Sequence, residues 1–279
     1  MQNKHKKKVG VFGIGNVGTQ VVLQLQSSTN YDIQGIFSRK EKNLGVKQYK
    51  SWKDLVDASD IVIETIGGVE IAKEIVFYAL SNGKKVLTAN KYLIATQGHN
   101  LLPKYQDLLR FESAVCGAIP IIKLLKTYYA KDSIDKILGI FNGTTNFILT
   151  QISKGLDFDS ALKKAQELGF AEADPTFDIE GIDAAHKAII LHYLAFNKWI
   201  DIDDIKIQKP KFAKKGEKNI GIITKNSIEF KNLILQDFCN VNENLNAVSI
   251  ESLICGNSFI SGQGAGGKQT AFALLSEID

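Results

Sequence analysis

The sequence has little cysteine, no long apolar run and no large excess of either charge, and each shortage closes off a class of protein. Its three cysteines, Cys116, Cys239 and Cys255, are odd in number, widely spaced and without any Cys-x-x-Cys pairing. Neither a disulfide framework nor a zinc-thiolate site is suggested, and reduced thiols fit a cytoplasmic location. No apolar run reaches the roughly 18 residues that span a bilayer, and the first residues lack the apolar stretch of a signal peptide, so no membrane partner is expected. The 34 basic and 30 acidic side chains leave a formal charge of only +4. Part of that excess is the run Lys4, Lys6, Lys7 and Lys8, which a solvated basic tail over residues 1–8 explains without a nucleic-acid partner. No His-x-x-x-His pattern exists, so His186 and His192 carry no metal expectation. What is present, 44% apolar and 23% charged side chains in 279 residues, suits an ordinary globular chain with one large domain or two modest ones.

A short β-rich run, Lys8 to Phe12, leads into Gly13-Ile14-Gly15-Asn16-Val17-Gly18, after which Val17, Val21, Val22 and Leu25 recur at helical spacing. In such a strand, glycine turn and helix, Gly13 suits the tight turn, Gly15 the approach of a pyrophosphate and Gly18 the packing of helix on strand. Amides at the helix start favour negative charge. A glycine-rich turn alone is weak evidence, but its place between a first strand and a helix favours a nucleotide. The alternation continues with strands expected at 32–37, 60–65 and 85–88 and helices at 52–58 and 69–80. It implies a Rossmann-type α/β fold, a doubly wound parallel sheet whose ligands lie beyond the carboxyl ends of the strands, near Thr65, Ala89, Asn90 and Lys91. After the second strand, where NAD-preferring sites place a carboxylate, stands Ser38-Arg39-Lys40, with no acid until Glu41. Two cations suit a 2′-phosphate and favour NADP over NAD; a solvated basic loop is the alternative.

The densest chemistry lies between Ala171 and Lys187, where five carboxylates accompany one lysine. Pro175 and Gly181 argue for an irregular loop, and Asp183 onward for a long helix. Asp183 and Lys187 then stand at i and i+4 on one face, which by spacing alone is most often a surface ion pair worth a few tenths of a kcal/mol. The helix around them, with Ile182, Ala185, Ile189, Ile190, Leu194 and Phe196, is apolar nearly all round, which draws the pair inward and makes it a candidate for acid–base work. Asn142-Gly143-Thr144-Thr145-Asn146 supplies donors from side chains and from amides at a helix start, although a plain turn and N-cap account for it equally.

Five segments together resemble the homoserine dehydrogenase family: Leu87 to Ala95, Glu112 to Pro120, Gly139 to Thr150, the acidic run ending at Lys187, and Gly262 to Ala271. The resemblance covers nearly the whole chain. It implies NAD(P)-dependent interconversion of L-aspartate 4-semialdehyde and L-homoserine, a step toward threonine and methionine. It further implies Lys187 as proton donor to the carbonyl oxygen with Asp183 as its partner, and Lys91 between nicotinamide and substrate. Glu172 would hold the substrate amino group, and Asp178 would line the same pocket. Gly264 and Gly266 fall in a stretch that returns to the nucleotide. Glu112, Val115, Gly117 and Ile119 match a loop that coordinates sodium through one carboxylate and backbone carbonyls, a hard-cation donor set. The chemistry agrees: hydride addition to an aldehyde builds negative charge on oxygen, which a nearby ammonium stabilises and protonates. An amino-acid substrate needs acceptors such as Glu172 for its ammonium and donors, from residues 142–146, for its carboxylate.

The expected organisation is a basic tail at 1–8, a dinucleotide-binding domain at 9–122, an α+β catalytic and dimerisation domain at 123–255, and a C-terminal segment at 256–279 that returns to the first domain. β-rich stretches near 134–141, 220–224, 227–236 and 253–261 form the second sheet, faced by the acidic helix, and 206–218 reads as a loop. A homodimer through that sheet is expected, with no regulatory domain following. Two other readings stay open: a phosphorylating aldehyde dehydrogenase with Cys116 as nucleophile, for which no base is evident and which a packed thiol opposes, and a catalytically silent nucleotide sensor.

Overall fold

The computed structural model describes residues 6–279 and divides into two compact units, one running to Ala114 and including Gly266–Asp279, the other Val115–Ala265. In the first, β1 (Lys7–Phe12), α1 (Asn16–Gln26), β2 (Tyr31–Phe37), α2 (Trp52–Asp57), β3 (Ile61–Glu64), α3 (Glu70–Ser81), β4 (Lys85–Thr88), α4 (Lys91–Tyr105) and β5 (Leu109–Arg110) alternate along the chain. The sheet runs β2-β1-β3-β4-β5 and is parallel throughout. β2 and β3 flank β1 on opposite sides, so connections leave β1 in both directions and open a crevice at its carboxyl end. Burial explains the strand composition. Val9, Val11, Ile61 and Ile63 are covered on the sheet, and Val21, Val22 and Leu25 of α1 pack onto them. Ser51 caps α2 by accepting from the Asp54 amide at 3.3 Å.

The second unit holds α5 (Ile121–Lys126), β6 (Ile134–Ile140), α6 (Gly143–Ser153), α7 (Phe158–Glu167), α8 (Thr176–Ile179), α9 (Ile182–Phe196), β7 (Lys206–Ile207), β8 (Lys218–Thr224), β9 (Ser227–Leu233), β10 (Leu245–Ser252) and β11 (Gly256–Gln263). Its sheet runs β11-β10-β6-β8-β9-β7, antiparallel except where β7 joins β9. α9 packs against β6, β8 and β9. α6 and α7 share a cluster of Phe147, Ile148, Ala161 and Ala165, with Phe170 and Ile179 against it. Gly139 of β6 pairs with Gly221 of β8, and a Cβ at either would stand 2.2 or 2.5 Å from the Phe141 ring. Two adjacent strands without side chains there make the slot that fixes Phe141, whose carbonyl matters below. The last helix, α10 (Gly267–Leu275), belongs to the first unit, where Ala271, Leu274 and Ile278 complete its core.

Several boundaries differ from the sequence reading. Lys4 lies outside the described residues, and Lys7 and Lys8 already belong to β1, so the basic run is only in part a tail. The units meet at Ala114/Val115 and Ala265/Gly266 instead of 122/123 and 255/256. The second shift has a plain cause: β10 and β11 form one hairpin paired from Leu245↔Gln263 to Ser252↔Gly256, so a cut at 255/256 would split a continuous ladder. The stretch 206–218 holds β7, a short 3₁₀ turn at Pro210–Phe212 and the first residue of β8 where a loop is expected. Among the described residues no helix is long and apolar enough to cross a membrane.

Candidate active site

The crevice of the first unit is built as its glycines require. Gly13 has φ +88°, a left-handed conformation that disfavours any side chain, and a Cβ at Gly18 would lie 2.0 Å from the Gly13 carbonyl. Gly15 caps α1, is exposed, and has nothing near its Cβ position, so the first turn of the helix is open to an anion. A cleft of about 760 Å³ follows, lined by Gly13, Ile14, Gly15, Ser38, Arg39, Lys40, Lys42 and the loop 65–71. Arg39 and Lys40 are exposed there, and a neighbouring polar recess adds Glu41, Tyr49 and Lys50. Asn16 is exposed at the helix start, whereas the side chains of Ile14 and Val17 pack on the core. Thr65 turns its hydroxyl onto the glycine turn, donating to the Gly13 carbonyl at 2.5 Å. That hydroxyl is therefore committed to the shape of the turn. Lys91 is half-buried as the first residue of α4, behind Asn90, whose side chain caps the helix at Leu93.

In the second unit the centre is a buried hydrogen-bonded group. All of α9 from Asp183 to His192 is buried, because its sequence is apolar nearly all round. Where Asp183 and Lys187 share a face, Lys187 Nζ stands 2.9 Å from Asp183 Oδ2 and donates to the Phe141 carbonyl at 2.7 Å. Only 8% of either residue is exposed. Burial opposes the charge on Lys187, but the Asp183 carboxylate, helped by Asp178, outweighs it and holds the ammonium above its ordinary titration range. Lys187 is thus charged at neutral pH. Asn142 completes the group: its Nδ2 donates to Asp178 Oδ1 at 2.6 Å and to Asp183 Oδ2 at 2.8 Å, while its Oδ1 accepts from the Thr145 amide at 2.8 Å. One amide bridges two carboxylates and caps α6 together. Burial, and then the nearby Asp183, raises the Asp178 carboxyl above its usual range, against the pull of Asn142, Thr144 and Lys187.

The expected donor set changes accordingly. Both N–H groups of Asn142 are committed to carboxylates, and Asn146 donates to the carbonyls of Val241 and Leu245, so neither side-chain amide is directed at a ligand. What remains is the start of α6 at Gly143 and Thr144, whose first-turn amides have no partner inside the helix. The Thr144 hydroxyl donates to the Phe170 carbonyl. Glu172 is exposed on the loop before α8, and its backbone carbonyl accepts from Gln166 Nε2 at 3.1 Å. Gly264 lies in the second unit, where a Cβ would collide with the Asn246 amide at 2.1 Å, while Gly266 precedes α10 in the first. Glu112 is buried in a 3₁₀ turn, with its amide bonded to Glu277 at 2.7 Å. In the other unit Val115 and Ile119 are buried and Gly117 has φ +56°, with its Cβ position 2.7 Å from the Gln263 carbonyl. Among the described residues no cluster of three or more His, Cys, Asp or Glu side chains suits a metal. Cys116 is wholly buried, at φ +56°.

Four contributors escape a reading of the sequence. The Phe141 carbonyl receives Lys187, and Asn246 Nδ2 donates to the same oxygen at 3.2 Å. Lys218 is buried with Nζ within 2.8–3.3 Å of four oxygens, on Asn146, Thr150, Val241 and Asn242, and burial lowers it to about 8. Glu64 is fully buried at the end of β3. None of the four left a local signal in the sequence.

Two family models match the chain, one within the first unit and one that spans most of the second and continues into α10. Residues 13–107 match the family model "Homoserine dehydrogenase, NAD binding domain", and residues 120–278 match "Homoserine dehydrogenase". The chain is 40% identical to the homoserine dehydrogenase of Neisseria gonorrhoeae over 78% of its own length and 55% of that protein's. Identity to the Bacillus subtilis enzyme is 34%, over 97% of this chain and 72% of the relative. A crystal structure of a homoserine dehydrogenase from Thiobacillus denitrificans superposes with a TM-score of 0.90 at 33% identity, covering 98% of this chain and 72% of that one. A hyperthermophilic archaeal homoserine dehydrogenase in complex with NADPH gives 0.86 at 25% identity, with 98% and 96% covered. With a nucleotide crevice in one unit, a buried lysine–carboxylate centre in the other and family models matched across both, the chain belongs to the homoserine dehydrogenase family.

Proposed function

We propose that in this family member Lys187 is the acid of aldehyde reduction, delivering a proton to the carbonyl oxygen of L-aspartate 4-semialdehyde as L-homoserine forms, and that NADPH is the preferred cofactor. The observation that carries the reading is the buried Lys187 ammonium, held charged by Asp183 at 2.9 Å. When bound, the reduced nicotinamide supplies the hydride. As hydride arrives at carbon, charge grows on oxygen, and a desolvated ammonium stabilises it far better than water does. Asp183 orients Nζ and balances its charge, and in the reverse direction Lys187, once neutral, accepts the hydroxyl proton of homoserine. Glu172 and Asp178 take the substrate ammonium, the α6 amides at Gly143 and Thr144 take its carboxylate, and Asn142 keeps Asp178 and Asp183 apart in fixed positions.

Lys91 belongs to the nicotinamide end of the cofactor crevice, with Gly264 and Gly266 in the segment that leads back to it. The Glu112 carboxylate and, in the other unit, the carbonyls of Val115, Gly117 and Ile119 are each of the oxygen-donor type that suits sodium. A homodimer through the second unit's sheet accords with the alternating exposure along β11.

The NADPH preference rests on Arg39 and Lys40 at the cleft. Arg39→Ala is expected to lose about tenfold in kcat/KM with NADP, since a hydrogen bond to a charged group contributes about 1.5 kcal/mol or more, and to change little with NAD. Homoserine oxidation assayed with both cofactors measures this. Equal losses with the two would remove Arg39 from the 2′-phosphate.

A further inference from the structure

Glu64 is a fully buried carboxylate that the chemistry above does not use. Its Oε1 accepts from the Ile66 amide at 2.6 Å, and its Oε2 accepts a short hydrogen bond from the Thr88 hydroxyl. Thr88 Oγ1 in turn accepts from the Asn90 amide at 3.0 Å. Asn90 returns across the gap, donating from Nδ2 to the carbonyls of Gly68 at 2.7 Å and Ile66 at 3.3 Å, while its Oδ1 caps α4 at Leu93. The loop 65–68 lines the dinucleotide cleft, and α4 begins with Lys91. A single carboxylate therefore ties the wall of the cleft to the helix start that follows β4.

We propose that Glu64 is a positioning residue for the cofactor, clamping the Thr65–Gly68 loop to the Thr88–Asn90 turn so that both present a fixed surface to the nicotinamide half of the dinucleotide. The inference rests on the first unit being the cofactor-binding unit. The clamp needs a group that only accepts, which Glu64 is once it is ionised, above about pH 7. A carboxamide at this position must turn its NH₂ either toward the Ile66 amide, donor against donor, or toward Thr88 Oγ1, which already receives Asn90 and would then lack an acceptor for its own proton. Either choice loosens one side.

Stability alone does not favour a carboxylate here. Burial pushes the Glu64 carboxyl up to about 7, against hydrogen bonds from Thr88, Ile66 and Asn90. The groups that face it are neutral: the Ile66 amide of the loop, Thr88 of β4 and Asn90 before α4, with Phe12 of β1 opposite in register. With the folded value above the ordinary 4.5, the folded chain binds the proton more tightly than the unfolded one. Stability from this group is present below 4.5 and is lost as pH rises to about 7. At pH 8 the ionised side chain is a cost to the fold.

The test is NADPH and NADH titration of the intact chain by nicotinamide fluorescence, with thermal melting of the cofactor-free protein at pH 5 and pH 8. Glu64→Gln is expected to bind both cofactors about tenfold more weakly, as one unsatisfied buried hydrogen bond predicts, to leave KM for the aldehyde unchanged, and to melt no lower than wild type at pH 8. Thr88→Val, which removes only the hydroxyl, is expected to weaken both cofactors in the same direction and decides the matter if the Gln variant does not fold. Cofactor affinity within twofold of wild type in the folded variants overturns the proposal. A wild-type chain that binds neither cofactor would instead overturn the cofactor reading of the first unit.

Discussion

Lys187→Met is expected to lower turnover of aspartate semialdehyde by about 10²–10⁴-fold, the usual range for a positioned acid, while NADPH affinity stays near wild type. A sequence apolar on nearly every face buries α9, and with it a lysine that would be a solvated charge on an ordinary amphipathic helix. Burial alone would discharge it; Asp183 keeps it an ammonium. The result is a mostly buried ammonium donor, of the kind a developing alkoxide needs. Methionine keeps the volume but leaves Asp183 buried beside Asn142 without its cation, so melting is to be followed in parallel. Lys187→Arg separates chemistry from stability. A guanidinium restores the ion pair and the fold but does not release its proton, so melting is expected to recover and turnover is not. Substantial turnover in a folded Lys187→Met chain would remove Lys187 as the acid.

Asp183→Asn is expected to have the second-largest effect, on stability as well as rate. Removing one partner of a buried ion pair costs about 3–5 kcal/mol, because the other charge is left in a poor solvent. The pair is about one-tenth exposed, so screening by water reduces this little. In wild type the folded Lys187 value lies above the ordinary 10.5, so its stabilisation is complete below that pH and disappears only as pH rises through the folded value. Without Asp183, burial becomes the dominant influence and Lys187 loses its proton more readily. The alkaline limb of the reduction profile is therefore expected to move toward neutrality in the Asn variant, alongside a fall in melting temperature at pH 7. A profile unchanged from wild type would mean that Asp183 does not govern the proton on Lys187.

The parts of this molecule carried by local pattern were legible in the sequence. The strand, glycine turn and helix of the first unit follow from residues within a few positions of one another, and the parallel sheet follows from the alternation. Asp183 and Lys187 were visible as a pair because helical spacing puts them on one face, and their burial because the rest of the helix is apolar. The bridge made by Asn142 was not legible: its partners are 36 and 41 residues away, and its capping of Thr145 is what a turn would show in any case. β10 escaped notice because Asn246 and Ser249 interrupt its apolar residues, and both are buried by the strands and helices around it, not by their own chemistry. The 255/256 boundary failed for a related reason, since only the pairing of β11 with β10 reveals which unit the hairpin belongs to. Glu64 falls inside the expected strand 60–65 with nothing local to single it out, because its partners come from β4 and the loop after β3.

If Lys187 is the acid, this chain transfers hydride to an amino-acid aldehyde and protonates the product from Nζ. The most direct measurement mixes the purified chain with NADPH and L-aspartate 4-semialdehyde and follows cofactor absorbance together with product by mass spectrometry. One L-homoserine is expected for each NADPH consumed, with the signal lost in Lys187→Met. NADPH that binds but is not consumed, or is consumed without homoserine appearing, would contradict that chemistry.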